Sequence, residues 1–496
     1  MSRPIHTTDD ALSERRRRLR AVVPSDGTTP LRALAALRAE GRRAALLESA
    51  DGPESVARYS FVVADPRASL VLDPAGGTLA IDGRSERLDG PPLGVLRAAH
   101  ERTAGPPRTA DEPPLAGGFV GFLSHELVAQ IEPTVTRPEA DPIGAPLGAF
   151  ERFATVLCFD HARHRLHVSV ELAGETPTLA RARKRLEERL DTVHGAVELP
   201  GEFQLEGPVQ DAFGTERFVA GVETLQAAIR AGECFQAVLA RRFSAPCSGD
   251  PLALYRALRL SNAAPHMFFF EAAGVSLVGS SPERLLSVER GVARLTPIAG
   301  TRPRGADAAE DEALAEELAG DRKERAEHHM LVDLARNDLG RVARYGGVRV
   351  ERLMTLERFA RVQHLTSSVA GTLAPGRDAL DALSAVFPAG TVSGAPKIRA
   401  LQLVTELEGE QRGPYAGAFG YLGDDGGLDL ALVLRTAVVA RDAVHVQAGA
   451  GVVHRSDPEA EERETRAKAQ GVLEGIELAD SGLLRPITRP LAEAIR

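Results

Sequence analysis

The chain has little of what covalent cross-links, zinc centres and membrane spans require. It has 496 residues but no tryptophan, only three cysteines and only four methionines. Cys158, Cys234 and Cys247 are too few and too scattered for a disulfide framework or a thiolate zinc site. No run of apolar residues approaches the length of about eighteen at which a helix can cross a membrane. These absences predict a protein of a reducing compartment without a membrane span.

The charge of the chain excludes a further class of partner. The formal net charge is −9, which argues against a nucleic-acid binder held by phosphate contacts. The one basic run, residues 15–18, is predicted to be a solvated tail. The first ten residues are polar and lack the apolar core of a signal peptide. We therefore expect a cytoplasmic protein that binds neither nucleic acid nor membrane.

The spacing of apolar residues predicts a mixture of helices and strands. Thr29-Pro30 has the N-cap and the first-turn proline of a helix start. Short strands are predicted at residues 44–47, 59–63, 69–72, 119–122 and 154–159. A stretch rich in Gly, Pro and Glu follows at residues 199–210. The sequence thus predicts an α+β protein with an N-terminal region at residues 20–200 and a larger domain at residues 211–478.

Two pairs of glutamates lie on segments with helical character. Glu324 and Glu327 are three residues apart, as are Glu461 and Glu464, and this spacing places each pair on one helix face. Carboxylate oxygens suit a hard cation such as Mg²⁺, which binds one or two of them and keeps several waters. A glutamate pair is also the ordinary composition of a solvated helix face. The spacing alone leaves both interpretations open.

Four further features could bind an anion or carry a proton. Gly300-Thr301 and residues 447–451 (QAGAG) are predicted to be tight turns that could offer backbone N–H groups to an anion. His364 lies in a strand-like apolar run, where a histidine is commonly a hydrogen-bonded core residue. Arg435 lies inside an apolar stretch predicted to be a strand over residues 430–440. A buried guanidinium needs an anionic partner, which a substrate could supply as well as the protein.

Read in order, segments between residues 215 and 475 resemble the chorismate-utilising enzymes, and within that family the large subunits of anthranilate synthases. The motifs that carry the resemblance are GSSPE at 279–283, TPIAGTRP at 296–303, KERAEHHMLVDLARNDL at 323–339, VQH at 362–364, FPAGTVSGAPK at 387–397, YAG at 415–417, RT at 435–436, QAGAG at 447–451 and ET at 464–465. The resemblance implies the family's α+β fold, with two large antiparallel β-sheets packed face to face and helices outside.

The resemblance implies a magnesium-dependent lyase. Such an enzyme converts chorismate and ammonia to anthranilate and pyruvate in L-tryptophan biosynthesis. Glu283 matches the general acid that protonates the departing ring hydroxyl, His364 matches a histidine needed for aromatisation, and Thr391 matches a position at the ring. A glutamate acid must be protonated at neutral pH, and burial beside other carboxylates would raise its pKa in that direction.

The resemblance also implies a cation site and a substrate site. Glu327 and Glu464 match the Mg²⁺ ligands, with Glu324 and Glu461 as nearby or water-mediated partners. The positions that match the binding site for the carboxylates and enolpyruvyl arm of chorismate are Gly300, Thr301, Tyr415, Arg435, Gly449, Ala450, Gly451 and Lys468. One cation, one arginine, one lysine and backbone donors would balance the dianionic substrate.

Two positions separate the members of the family. Gln236 stands where water-adding members have a lysine base, which argues against isochorismate and salicylate synthesis. Ala299 stands where aminodeoxychorismate synthases commonly have a lysine nucleophile. Anthranilate synthases remain, together with the 2-amino-2-deoxyisochorismate synthases of secondary metabolism. A non-catalytic sensor of chorismate or tryptophan is a third interpretation, and the intact catalytic positions argue against it.

The N-terminal region resembles the tryptophan feedback site of anthranilate synthases. Residues 46–49 (LLES) match one half of that site, and residues 262–267 (NAAPHM) stand where the family reads Asn-Pro-Ser-Pro-Tyr-Met. The implied contacts with L-tryptophan are Glu48, Ser49, Pro265, His266 and Met267. Because His266 replaces tyrosine with a smaller ring that titrates near its ordinary pKa of about 6.5, we expect weaker feedback inhibition.

The resemblance also implies a partner. The tail after the matched region has no Cys-His-Glu triad of a glutaminase. Glutamine-driven activity would therefore need a separate glutamine amidotransferase subunit, the second component of anthranilate synthases, in a heterotetramer.

Overall fold

The structure is a computed structural model that describes residues 5–7, 17–49, 58–172, 179–359 and 362–482. Its strands, β1 to β24 in chain order, are Ile5–Thr7, Arg17–Pro24, Ala44–Glu48, Tyr59–Asp73, Gly76–Ile81, Arg84–Asp89, Gly118–Leu123, Gly148–Asp160, Arg165–Leu172, Phe203–Leu205, Gln210–Asp211, Gln236–Gly249, His266–Ala272, Val275–Ser281, Arg284–Glu289, Val292–Leu295, Ile298–Pro303, Ala343–Arg358, Val362–Leu373, Gly394–Ala395, Ala418–Gly423, Leu428–Leu432, Thr436–Ala440 and Ala443–Val453. Its helices, α1 to α11, are Pro30–Ala39, Pro92–Thr103, Val128–Ile131, Leu179–His194, Thr215–Arg230, Pro251–Ser261, Ala308–Gly320, Arg322–Gly340, Ala379–Val386, Lys397–Glu408 and Pro458–Asp480.

The strands form two antiparallel sheets that share two long strands. The first sheet has the order β1–β2–β9–β8–β4–β3–β13–β14–β23–β24–β12. The second has the order β6–β5–β4–β8–β7–β21–β22–β15–β16–β19, and β17 and β18 also pair with β19. Strand β4 pairs with β3 through residues 61–64 and with β5 through residues 68–73. It therefore passes from one sheet into the other, as its partner β8 does.

The two sheets pack face to face through aromatic side chains. Phe268 on β13 stacks on Phe419 of β21, with 4.3 Å between the ring centroids, and Phe122 on β7 contacts Phe270 on β13 edge to face. The outer face of the first sheet is covered by α1, α4, α6 and α11, and that of the second by α2, α8 and α9. The predicted α+β fold with two packed antiparallel sheets is confirmed.

Two capped helices carry the glutamate pairs. Helix α8 begins after Asp321, whose carboxylate accepts hydrogen bonds from the backbone N–H groups of Lys323 and Glu324. Helix α11 begins after Asp457, which accepts from Ala460 N at 2.7 Å, and has Pro458 in its first turn. In both helices the aspartate N-cap fixes where the helix starts, and in α11 the first-turn proline adds to it. The predicted helical setting of both pairs is confirmed.

The basic run at the N-terminus differs from its prediction. Residues 17–24 form β2, and Arg18 is buried, where it pairs with Glu112 and Asp424. The prediction of a solvated tail is wrong for this arginine. The buried carboxylates that neutralise it lie 94 and 406 residues away in sequence, so the local sequence does not reveal them.

Strands from both predicted regions enter both sheets. Strand β3 pairs with β13, and β7 pairs with β21. The division at residues 200–211 stays a prediction. No helix in the described ranges has the length and apolar character to cross a membrane.

Candidate active site

Glu283 lies in the short connection between β14 and β15, next to the turn that contains Thr391. The Thr391 hydroxyl donates a hydrogen bond of 2.9 Å to the Glu283 carboxylate. Thr391 belongs to a single 3-10 turn, Gly390–Val392. Both residues line a small cavity of about 50 Å³ that is otherwise formed mainly by apolar side chains, three of them on α8 (Leu331, Leu334 and Ala335). The structure thus brings together two of the predicted catalytic residues.

Burial raises the pKa of Glu283 to about 7, although the hydrogen bond from Thr391 and the charge of Lys468 act in the opposite direction. A carboxyl group is uncharged when protonated, so removing water from around it favours the acid form. Near neutral pH, Glu283 is therefore present in substantial part as the protonated acid. This is the state required of a general acid.

His364, on β19, lies opposite Thr301 on β17. Its Nδ1 lies 3.1 Å from the Gly300 carbonyl oxygen and 3.0 Å from Thr301 Oγ1. Because a carbonyl oxygen can only accept, Nδ1 carries the proton and the lone pair of the neutral ring is on Nε2. Burial lowers the pKa of His364, and the charge of Arg435 lowers it further. A histidine that is neutral at physiological pH can accept a proton.

Gly300 and Thr301 lie inside a strand instead of in the predicted tight turn. A register shift between Ala299 and Thr301 in the pairing of β17 with β19 marks a β-bulge. Gly300 at this bulge has φ +66°, and an added Cβ would lie 2.6 Å from Leu318 and 3.2 Å from Glu324. The glycine is needed for both its backbone conformation and this close approach.

Arg435 interrupts the strand that the sequence predicted over residues 430–440. β22 ends at Leu432 and β23 begins at Thr436, and Arg435 between them has a φ of 45°. Within the described ranges its guanidinium has no hydrogen bond or ion pair, and burial lowers its pKa. The prediction of a continuous strand is wrong. Of the two partners that the sequence left open for this guanidinium, a protein carboxylate is absent among the described residues, which leaves a substrate carboxylate.

The four glutamates on α8 and α11 interact with one another. Burial raises the pKa of Glu327, and the charges of Glu324 and Glu464 raise it further. Burial likewise raises the pKa of Glu461, and Glu464 adds to the shift. The charge of Glu464 on α11 thus acts on Glu327 of α8.

Two lysines accompany these carboxylates. Lys468 Nζ lies 2.7 Å from Glu464, and Lys323 Nζ lies 3.8 Å from Glu327. In the described part of the chain, no three His, Cys, Asp or Glu side chains form a group able to hold a metal ion. The glutamates offer only carboxylate oxygens as ligand atoms, and their negative charge suits a divalent cation. Glu327 and Glu464 are therefore chemically suitable ligands for Mg²⁺.

The three small residues at 449–451 lie in the C-terminal half of β24, so the predicted turn is wrong. They pair with β12, where Ala240, Leu239 and Val238 stand opposite Gly449, Ala450 and Gly451. On its other side, β24 pairs with β23 only through residues 443–446. The backbone of residues 449–451 thus has one edge that no described strand covers, which can offer hydrogen bonds to a ligand.

The glycines of this segment allow side chains to approach. A Cβ on Gly449 would lie 2.9 Å from the Tyr415 hydroxyl oxygen, and one on Gly451 would lie 2.7 Å from Gln236 Nε2. Lys468 Nζ donates to the Gly449 carbonyl oxygen at 3.0 Å. Tyr415 is buried, and burial raises the pKa of its hydroxyl to about 12. The structure therefore places Tyr415 and Lys468 at the same stretch of β24.

A second, larger cavity lies between the two halves of the predicted tryptophan site. Its volume is about 600 Å³, and Glu48, Ser49, His266 and Met267 are among the residues that line it. Strand β3 pairs with β13 so that Glu48 stands opposite Met267. Pro265 is buried just before β13 and is not among the lining residues of the described chain.

The polar groups of this cavity are fixed by their neighbours. Glu48 Oε2 accepts hydrogen bonds from Tyr255 at 2.6 Å and from Arg259 at 2.9 Å, which leaves Oε1 for a ligand. Burial lowers the pKa of His266 to about 3, and the charge of Arg284 contributes. The expectation that His266 titrates near neutrality is wrong, because burial removes the water that would stabilise the charged ring and the charge of Arg284 adds repulsion.

Several residues that hold the site in place were not predicted from the sequence. Arg412 and Glu408 form a buried ion pair behind the Thr391 turn. Arg284 follows Glu283 and pairs with Asp429 on β22. The i,i+4 spacing of Glu408 and Arg412 is the one local signal that indicates a pair. The other contacts depend on strand pairing between distant segments.

Comparison with known proteins agrees with this geometry. A family model for chorismate binding enzymes matches residues 43–474, and the chain belongs to this family. Two relatives are named anthranilate synthase component 1. The one from Thermus thermophilus is 43% identical over 475 residues, which cover 95% of this chain and 100% of the relative. The one from Streptomyces coelicolor is 43% identical over 471 residues, which cover 92% of this chain and 88% of the relative.

One solved structure gives the same family, and a second gives the same fold. Anthranilate synthase component I from Streptococcus pneumoniae superposes with a TM-score of 0.75 at 36% sequence identity, covering 84% of this chain and 92% of that one. The menaquinone-specific isochorismate synthase of Escherichia coli superposes with a TM-score of 0.70 at 20% identity and covers 96% of both chains. At 20% identity, the second match shows only that the two proteins share a fold.

Proposed function

We propose that this chain is the chorismate-converting component of an anthranilate synthase and forms anthranilate and pyruvate from chorismate and ammonia. One observation carries the proposal: a carboxyl group with a pKa of about 7 receives a hydrogen bond from Thr391 in a chain similar to proteins of that name. The reaction needs such a group, because hydroxide is a poor leaving group from the ring and must depart as water.

The first step is the addition of ammonia with loss of the ring hydroxyl. Ammonia attacks the ring carbon next to the one that carries the carboxylate, the ring double bonds shift, and the C–O bond to the hydroxyl breaks. Glu283 supplies the proton with which the hydroxyl leaves as water, and the resulting carboxylate is stabilised by the Thr391 hydroxyl. Gln236 stands near Gly451. Its amide cannot act as a base, so it cannot activate water to attack the ring in place of ammonia.

The second step is aromatisation. A proton leaves the carbon that bears the new amino group, and the bond between the ring and the enolpyruvyl oxygen breaks, so that pyruvate departs after protonation of its methylene carbon. His364 is neutral with its lone pair on Nε2, since Nδ1 donates to Gly300, and is the group we assign to accept this proton. Arg435, which lacks a partner among the described residues, supplies the positive charge for a substrate carboxylate.

The chemistry of the four glutamates fits a magnesium ion. Glu327 and Glu464 would hold it, with Glu324 and Glu461 around them, and the ion would neutralise the ring carboxylate of chorismate. Lys323 and Lys468, which contact the same carboxylates, reduce the repulsion between them when no cation is bound.

The proposal also covers regulation and a partner subunit, from the larger cavity at the predicted tryptophan site and from the name of the relatives. L-tryptophan would occupy the 600 Å³ cavity, with its ammonium group on Glu48. The relatives are named component 1 of anthranilate synthase, which implies a second component. We assign glutamine hydrolysis to this second component, a separate amidotransferase that forms a cytoplasmic complex with the chain. Purified alone, the chain should use ammonium but not glutamine.

The direct test is to incubate the protein with chorismate, a high concentration of ammonium and Mg²⁺ near neutral pH, where Glu283 is still protonated in substantial part. We expect anthranilate, followed by its fluorescence, together with one equivalent of pyruvate. An aminated product that retains the enolpyruvyl group would instead indicate a 2-amino-2-deoxyisochorismate synthase, and unchanged chorismate would refute both activities.

A further inference from the structure

Arg412 lies behind the catalytic turn, and its guanidinium joins three segments of the chain. Nε and Nη2 donate to the two carboxylate oxygens of Glu408 at 2.8 and 2.6 Å. Nη1 donates to the Val392 carbonyl oxygen at 2.9 Å, and Nη2 also donates to that of Val238 at 2.8 Å. The Arg412 side chain is only 3% exposed and that of Glu408 only 7%. Few contacts with water compete with these bonds.

The carboxylate of the pair contacts the same strand. Glu408 Oε1 accepts a hydrogen bond of 2.9 Å from Ala240 N. Ala240 and Val238 are the residues of β12 that stand opposite Gly449 and Gly451 on β24. The ion pair therefore holds β12 at the two residues that stand opposite Gly449 and Gly451. These two glycines belong to the part of β24 that has no described strand on its other side.

The same guanidinium holds the catalytic turn. Val392 directly follows Thr391, whose hydroxyl donates to Glu283. We propose that Arg412, oriented by Glu408, is a positioning residue that sets the Thr391 turn, and through it the Glu283 carboxyl group, against the substrate-facing edge of β24. This inference rests on the proposed function.

The geometry of arginine is what the role requires. A planar guanidinium presents several N–H donors in fixed directions, and here they reach a carboxylate and two backbone carbonyls at once. A lysine would keep the charge but cannot satisfy three acceptors in these directions. Arg412→Lys should therefore leave the charge balance of the core intact and loosen the turn.

The chain offers a matched control. Arg152 is also 3% exposed and pairs with Glu171, which is 7% exposed, and with Asp424. Arg152 and Glu171 lie in the N-terminal strands β8 and β9, and none of the three residues contacts the Thr391 turn. Arg152→Lys should lower thermal stability by a similar amount and leave kcat within about twofold of the native value. Arg412→Lys should lower kcat by about tenfold or more with little change in KM for chorismate. The alkaline limb of its pH profile should move upward, as expected when Glu283 loses a hydrogen bond.

A double-mutant cycle tests the route of the effect. If Arg412 acts through Thr391, the Arg412→Lys/Thr391→Val protein should be no more than about twofold slower than Thr391→Val alone. Losses that multiply would refute the proposal, as would equal behaviour of Arg412→Lys and Arg152→Lys. If Arg412→Lys does not fold, the isosteric Glu408→Gln takes its place in the same cycle with the same expectations. An inactive native protein would refute the proposed function instead, so the two failures are distinguishable.

Discussion

The hydrogen bond from Thr391 to Glu283 makes a quantitative prediction about pH dependence. Thr391→Val removes the hydroxyl that donates to the carboxylate at 2.9 Å and keeps the shape of the side chain. Because the donor favours the ionised form, its loss raises the pKa of Glu283 above its value of about 7. A general acid works while protonated, so activity is present below this pKa and is lost as the pH rises through it. The alkaline limb of kcat should therefore move to higher pH.

The size of the shift follows from the strength of the bond. A hydrogen bond to a charged group contributes about 1.5–3 kcal/mol, and one pKa unit corresponds to about 1.4 kcal/mol. The Thr391 hydroxyl is a neutral donor, so we take the lower end of this range. We expect the limb to move up by about one pH unit. The plateau at lower pH should fall about tenfold, because the acid is no longer held in position.

The assay is a pH profile of kcat at saturating chorismate, with total ammonium adjusted so that free ammonia stays constant. Thr391→Ser is the control, because it keeps the hydroxyl and should retain the native limb. An unchanged limb in Thr391→Val, or an equal shift in both variants, would refute the role of this hydrogen bond.

Other predictions concern aromatisation, the cation and feedback. His364→Met should release the aminated, enolpyruvyl-bearing intermediate, detected by mass spectrometry; failure to aminate chorismate at all would contradict the division of roles. Glu327→Gln or Glu464→Gln should lower Mg²⁺-dependent turnover by about 10²-fold or more, and near-native rates at saturating chorismate would refute the cation site. His266→Tyr should tighten inhibition by L-tryptophan about tenfold and Ser49→Ala should weaken it; inhibition unchanged in both variants would place the regulatory site elsewhere.

Local sequence patterns predicted the elements that depend on local physics. The helical character and spacing of the two glutamate pairs, the helix that follows Thr29 and the strand that contains His364 are all present as predicted. Each is determined by residues within a few positions of one another, through capping, side-chain periodicity and backbone preference.

The wrong predictions share a physical cause. The small residues at 449–451 and at 300 indicated turns, but in the structure they are strand positions where neighbouring side chains approach the backbone closely. Arg435 looked like a strand residue because apolar residues surround it, yet it lies at a break between strands. The charge state of His266 depends on burial and, to a smaller extent, on Arg284, both of which result from strand pairing. Such properties arise from packing between distant segments and leave no local signal.

The most direct test of the account compares the native protein with Glu283→Gln, which is nearly isosteric but cannot donate a carboxylic-acid proton. Chorismate binding to each is measured at equilibrium, and products are then quantified after addition of ammonium and Mg²⁺. We predict that both bind chorismate with similar affinity, that the native protein forms anthranilate and pyruvate in equal amounts, and that the variant leaves chorismate unchanged. Anthranilate formation by the variant at a near-native rate would contradict the assignment of Glu283 as the acid.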